Sequence, residues 1–439
     1  MNKFLSALLV LGLIQTVAFA QKKVITYHDE SKTSIKEVYY ITPDSAIVGF
    51  YKRYYPTGEQ EALAKFVEGK KDSIFTEFYP NGNPKMQLTY VKDVKQGPFK
   101  AYLPNGRLLQ EGSFEDNQQS NLFRTFYEDG TIKKEAEFVN GFPEGLVKDY
   151  YKNGKLKSEI NYKNSKQNGL AKTYFPNRQL ETEATYRNGM LEGSYKTYFD
   201  NGQLETEVTN VAGQKNGSFK SYYRNGSLST EGSFIAGKMH GPSRSYYESG
   251  KTRSQITYKN GEISGLAQYF AEDGKLTKEI NSSNNGADSK ITLYYSSGNI
   301  QAEELYKDKQ KHGNWKSYFD APGKKVEITE TYAADKLTGD RFSYYENGQV
   351  KERQKYESGK VIAPSYIYYP SGKTKSETNY KDGLRFGTYK QYFENGKTEV
   401  IGQYRNNRET GEWKYYSEEG KVTQTVTYRN GEIIEGKAK

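Results

Sequence analysis

Residues 193–217 read GSYKTYFDNGQLETEVTNVAGQKNG, and the fold follows from this stretch. It holds an aromatic run ending in Tyr198-Phe199, an Asp200-Asn201-Gly202 turn, a Leu204 to Glu207 segment suited to a strand, and a second glycine-containing turn. The unit recurs along the chain. Turn glycines stand 24 residues apart at Gly58, Gly82, Gly106, Gly130 and Gly154, then at Gly202, Gly226, Gly250, Gly274 and Gly298. Arg178 fills the place between Gly154 and Gly202, inside an otherwise intact Tyr174-Phe175-Pro176-Asn177 turn. The spacing widens to 25 through Gly323 and Gly348 and returns to 24 through Gly372, Gly396 and Gly420. Sixteen units in phase predict an all-β, elongated antiparallel β-meander or solenoid of 24-residue hairpins.

Each unit reads as a β-hairpin. Proline presets φ at the start of several turns (Pro56, Pro80, Pro104, Pro176 and Pro370), and Asn or Asp precedes a glycine that reaches the left-handed conformation without steric cost. The flanking segments are rich in Tyr, Phe and Thr, with no helical periodicity. Arg178, a bulky residue at a glycine position, must sit strained or alter its turn. Aligned on the turn glycine, an aromatic stands three before (Tyr151, Phe175, Phe199, Tyr223) and another four before (Tyr150, Tyr174, Tyr198, Tyr222). Leu or Ile follows two after, Glu five after, and an aromatic eight after. The expected register pairs the aromatic three before with the Leu two after. It also sets the basic residue six before (Arg124, Lys148, Lys172, Lys196, Lys220) against the Glu five after, with aromatics and Leu on one face and Lys, Glu and the second Tyr on the other.

The composition agrees with thin sheets. Of 439 residues, 41 are Tyr and 21 Phe, yet hydrophobic residues make up only 34%. The net charge of +10 is mild for this length and reads as a solvated mixed-charge surface. Cysteine is absent, which removes disulfides, thiol nucleophiles and cysteine metal sites.

Residues 1–20 read as a cleavable signal peptide: Lys3 in the n-region, an apolar Phe4–Ile14 and an Ala18-Phe19-Ala20 cleavage site. The apolar run is too short to span a bilayer and no cysteine follows it. The mature chain is therefore expected to be exported (periplasmic, outer-surface or extracellular) and to carry no transmembrane segment. Residues 21–49 fit the repeat poorly and are expected to cap the first edge of the array, with the repeats over 50–436 and a frayed tail at 437–439. Irregular units cluster between Ala271 and Pro364, at Asn281–Lys290, Asp320–Lys325 and Glu357–Pro364.

The hairpins resemble the MORN repeat in its bacterial variant form, which reads Y-x-N-G-x-x-x-G-x-[YFW]-K-x-Y-Y-x-N-G-x-L. Tyr186-Arg187-Asn188-Gly189 running to Gly193-Ser194-Tyr195-Lys196 carries this pattern, as do Tyr258 to Gly261, Lys238-Met239-His240-Gly241 and Lys311-His312-Gly313. Trp315 and Trp413 stand where such repeats often place Trp. The resemblance implies a non-catalytic binding or scaffolding role. Bacterial chains of this type look like those grouped as antitoxin-type proteins, and related repeats are associated with membrane-surface lipids.

The chemistry weighed from the residues points the same way. His240 and His312 occupy one position three units apart, too distant to share a metal, so no metal and no cofactor are expected. No nucleophile motif or triad set appears, and a Glu in unit after unit is a charge stripe rather than a catalytic carboxylate pair. An enzyme is not expected. The pattern with binding potential is the ladder of Tyr150, Tyr174, Tyr198 and Tyr222 beside Lys148, Lys172, Lys196 and Lys220. Such a face suits a protein partner, an envelope polysaccharide or an anionic lipid surface; nucleic acid is not an expected partner of an exported chain. The leading expectation is an exported scaffold that binds along one sheet face, and the alternative is an immunity-type protein that masks a cognate toxin.

Overall fold

The structure, a computed structural model, describes residues 21–438; the signal-peptide reading of residues 1–20 lies outside it. The described residues form 39 strands and one short 3-10 turn, Asn284–Gly286, in the irregular stretch expected at Asn281–Lys290. None of their helices is long and apolar enough to cross a membrane. The chain divides into two compact units, one running to Gly202 and the other from Gln203. Within each, consecutive strands pair antiparallel in chain order, which makes each a meander of hairpin repeats. Residues 21–49 contribute Lys22–Tyr27, Ile35–Ile41 and the start of Ile47–Tyr54, paired in order. At the other end, Glu432–Ala438 pairs along Val422–Arg429.

The hairpin between strands Phe142–Tyr150 and Leu156–Lys163 shows the local logic. The Gly154 N–H donates to the Tyr151 carbonyl at 2.9 Å, and the Tyr151 N–H to the Lys155 carbonyl at 2.8 Å, which closes a type I turn followed by a left-handed residue. Gly154 sits there at φ +77°. This extra residue bulges the ladder. Lys148 faces Glu159 as expected, but Leu156 faces Tyr150 rather than Tyr151. The expected register thus holds in the body of the hairpin and fails at its last pair, because the bulge draws Tyr151 into the loop. Arg178 keeps the same turn, with its N–H on the Phe175 carbonyl at 2.8 Å, at the price of φ +77° in a residue with a Cβ.

Except at Asn284–Gly286, the second turn of each unit is a two-residue type I′ turn. Asn188 and Gly189 lie at φ +52° and +84° between the paired Arg187 and Met190. The Gly189 N–H reaches the Gln167 carbonyl one unit back at 2.8 Å. A second link joins the first turns. The hydroxyl of Tyr127 donates to the Tyr150 carbonyl at 2.7 Å, and that of Tyr151 to the Tyr174 carbonyl at 2.7 Å. Tyr55, Tyr79, Tyr223, Tyr247, Tyr295, Tyr345 and Tyr369 repeat the contact. The aromatic three before the glycine is therefore a bolt between successive turns, and units with Phe there lack its hydroxyl.

Alternation of side chains along the strands gives each sheet two unlike faces. One is apolar: Val147, Ile160, Ala171, Ala184 and Tyr195 lie opposite one another in succession. Here large rings meet small partners. A Cβ on Gly112 would come within 2.5 Å of the Phe123 ring, and one on Gly402 within 2.1 Å of the Trp413 ring. These glycines are required by close approach rather than by backbone conformation. Phe123 contacts Phe99, Phe114 and Phe138 at centroid distances of 5.4–6.1 Å, and Trp413 contacts Tyr389, Tyr404 and Tyr428 at 5.2–5.9 Å. The other face carries the charges.

Candidate functional site

On the charged face of the N-terminal unit the cross-strand partners run Lys100, Glu111, Arg124, Glu135, Lys148, Glu159, Lys172, Glu183, Lys196, each directly opposite the next. Signs alternate without a break. Arg124 bonds Glu135 at 2.8 Å and Glu111 at 3.3 Å, and Lys172 lies 3.4 Å from Glu183. The tyrosines join the same network. Tyr150 donates its hydroxyl to Glu135 at 2.7 Å, and Tyr174 to Glu159 at 2.6 Å, each reaching fifteen residues back. Burial, followed by the hydrogen bond to the carboxylate, pushes both phenols up to about 12. The Arg124 bond leads the causes that lower Glu135.

The residues singled out in the sequence therefore sit where the repeat puts them, with intramolecular roles. Tyr150, Tyr174, Tyr198, Lys148, Lys172 and Lys196 belong to the N-terminal ladder, Lys196 opposite Glu183. Lys220 and Tyr222 lie in the C-terminal unit, where Lys220 faces Glu207 and Glu231 and Tyr222 faces Leu228. A strip in which Arg124, Lys148 and Lys172 each meet an anion on both sides has little charge left for a ligand.

The corresponding row in the C-terminal unit loses this pattern. It runs Glu303, Lys316, Thr329, Phe342, Arg353, Tyr366, Glu377. Residue changes at Thr329 and Glu330, after a longer turn, and a reversed dipeptide account for the change. The turn at Asp320–Lys325 has two residues more than its counterparts, seven between the paired Tyr318 and Val326 against five between Tyr150 and Leu156, and is closed by the Phe319 N–H on the Lys325 carbonyl at 3.0 Å. On the strand that follows, Glu330 stands in the row of the apolar face, opposite Trp315, where the regular hairpin carries Ile160 opposite Val147. Then Arg341-Phe342 reverses the aromatic–basic order of Tyr195-Lys196. With one residue per face, the reversal sends Arg341 to the apolar face and Phe342 to the charged face.

Both consequences are visible. Arg341 bonds Glu330 at 2.9 Å and Glu352 at 3.2 Å, with side chains only 21%, 23% and 29% exposed. On the opposite face Phe342 stacks beside Tyr344 (6.2 Å, 30°) and Tyr366 beside Tyr368 (6.4 Å, 25°). Arg353, on the intervening strand Val350–Glu357, lies 5.7 Å over the Phe342 ring and 3.5 Å from Asp340. Fifteen residues before Tyr344 and Tyr368 stand Thr329 and Arg353, so neither phenol finds the glutamate that Tyr150 and Tyr174 find. Two hollows flank the rings. One of about 560 Å³ is lined by Lys316, Lys325, Thr329, Tyr344 and Glu346 among others, and one of about 320 Å³ by Phe342, Arg353 and Tyr368.

The irregular stretch 271–364 was legible in the sequence, but the residues of this platform were not picked out there. The available signal was the reversed Arg341-Phe342 dipeptide. His240 and His312 lie beside the second turns, their N–H groups on the Ser233 and Leu305 carbonyls at 3.0 and 2.9 Å.

No curated protein matches the chain in sequence. Similar solved structures include a crystal structure of TcdB2-TccC3, at 12% identity and TM-score 0.15 over 96% of this chain and 24% of that one. Another is of TcdB2-TccC3-Cdc42, at 10% identity and TM-score 0.14 over 96% and 31%. A third is the Tc holotoxin pore of Photorhabdus luminescens, at 11% identity and TM-score 0.14 over 90% and 23%. The chain spans less than a third of the length of these chains, and likenesses this slight carry no functional argument. The family profile described as MORN repeat variant is a different matter. It matches residues 71–92, 120–140, 143–164, 167–188, 191–209, 215–236, 239–260, 288–308, 337–358, 364–382, 387–406 and 409–430, more than half of the chain and in phase with the hairpins. On those twelve matched segments, the chain belongs to the MORN repeat family.

Proposed function

We propose that the protein is an exported, non-catalytic scaffold that binds a partner through the interrupted charged face of its C-terminal unit. The observation that carries this reading is the contrast between the charged faces of the two units. From Lys100 to Lys196 the ladder neutralises itself, whereas from Thr329 to Tyr366 it presents rings, an arginine and two hollows. Binding surfaces are enriched in aromatic residues and Arg, which supports placing recognition there.

The test is capture of envelope material on the immobilised full-length protein. Phe342→Thr combined with Tyr366→Thr is expected to abolish retention while the protein keeps its β-sheet circular dichroism. Tyr150→Thr combined with Tyr174→Thr, in the ladder, is expected to leave retention unchanged. Equal retention by all three proteins would refute the placement. A single stoichiometric toxin-like protein in the eluate would favour the immunity-type alternative over a general scaffold.

A further inference from the structure

The ring platform also has a chemistry of its own. Phe342–Tyr344 and Tyr366–Tyr368 are two near-parallel pairs, on strands separated only by Val350–Glu357. Two strand spacings amount to about 9.6 Å, close to the span of two linked pyranose rings. Flat, half-buried rings suit the apolar faces of sugars, and the Tyr344 and Tyr368 phenols can serve sugar hydroxyls, since Thr329 and Arg353 replace their usual glutamates. The 560 Å³ hollow falls within the range of small-ligand sites, and it is polar at its rim, with Lys316, Lys325 and Glu346.

Charge narrows the class. Lys316 has lost one of the two facing glutamates that Lys148 and Lys172 keep, because Thr329 stands in its place. Lys325 is exposed, and Arg353 is shared with Asp340. These few cations lie beside rings suited to sugar faces, which fits the carboxylate of a stacked uronate, and they form no continuous basic track of the kind that follows a nucleic-acid backbone. We propose that the Phe342–Tyr368 platform is a subsite for an acidic, uronate-bearing polysaccharide, with sugar rings lying across Phe342, Arg353 and Tyr366. The assignment rests on the binding reading above and names the ligand class for that same surface.

Affinity electrophoresis of the full-length protein tests it, with polygalacturonate, neutral dextran or single-stranded poly(dT) cast in the gel. Polygalacturonate is expected to retard the native protein more than dextran does. Phe342→Thr and Tyr366→Thr should each bind it roughly fivefold more weakly, the size of one lost ring stack. Tyr150→Thr, folded and of the same net charge, should be retarded like the native protein. Absence of retardation by polygalacturonate overturns the assignment, as does stronger retardation by poly(dT). Equal retardation of all variants also overturns it, because that is the behaviour of bulk positive charge. If polygalacturonate fails while envelope capture still requires Phe342 and Tyr366, the ligand class is wrong and the placement stands. If capture does not require them either, both fall.

Discussion

The strip from Glu111 to Lys196 and the strip from Glu303 to Glu377 are built from the same hairpin, yet only the first is electrically closed. In the first, each cation sits between two carboxylates and each tyrosine spends its hydroxyl on one of them. In the second, a glutamate at an apolar position and one reversed dipeptide put an ion triad among the rings of the apolar face and put rings among the charges. The difference teaches how sparing the code is. In a structure with alternating faces, the order of two adjacent residues decides which face stores charge and which face offers surface.

The comparison can be broken most forcefully at Arg341. Arg341→Ala strands Glu330 and Glu352 on the apolar face, and we expect a loss of about 2–3 kcal/mol by urea denaturation, below the full cost of breaking a buried pair because the group keeps some solvent. Lys172→Ala, in the closed ladder, should cost under ~1 kcal/mol. Equal losses would mean that the reversed unit stores charge no differently from the others.

The inter-turn bolt comes next. Tyr151→Phe removes the donor to the Tyr174 carbonyl and should cost about 1 kcal/mol, read as a lower midpoint in the same titration. Arg178→Gly relieves a left-handed residue whose turn is otherwise regular, and a gain of roughly 0.5–1 kcal/mol is expected. A lower melting midpoint for that variant would show that Arg178 makes a compensating contact.

The ladder also predicts a pH profile. The Tyr150 and Tyr174 phenols titrate at about 12 when folded and about 10 when free, so their contribution is complete below pH 10 and disappears as pH rises through 12. Glu135, Glu279 and Glu303 are depressed by their hydrogen-bond partners, chiefly Arg124, Tyr294 and Tyr318. Their contribution is present above the ordinary carboxylate value and is lost as pH falls through the depressed one. A urea midpoint measured against pH should therefore plateau in the neutral range and decline at both extremes. A midpoint still rising beyond pH 11 would contradict the tyrosine–glutamate bonds.

Much of this was open to a reader of the sequence, for local reasons. Asn-Gly and Pro-containing turns depend on backbone conformation within four residues, so the hairpins and the Lys148–Glu159 type of pairing could be deduced. The final pair of each hairpin could not, because the bulge at Gly154 is a consequence of hydrogen bonding across the loop. The Tyr151 bolt was hidden for a similar reason: its acceptor is a backbone carbonyl 23 residues away, and carbonyls leave no mark in a sequence. The need for Gly112 and Gly402 arises only when the Phe123 and Trp413 rings lie over them. The platform at Phe342 was within reach, since Arg341-Phe342 and Tyr195-Lys196 can be compared directly, but the consequence depends on knowing the register.

The central claim is that recognition lies in the interruption of the charged face and not in its regular ladder. The most direct measurement is retention of envelope material on two immobilised double variants, Phe342→Thr/Tyr366→Thr and Tyr150→Thr/Tyr174→Thr, beside the native protein. The account predicts that the first loses retention and the second keeps it. Loss in the second with retention in the first would contradict the account and return the binding role to the tyrosine–lysine ladder.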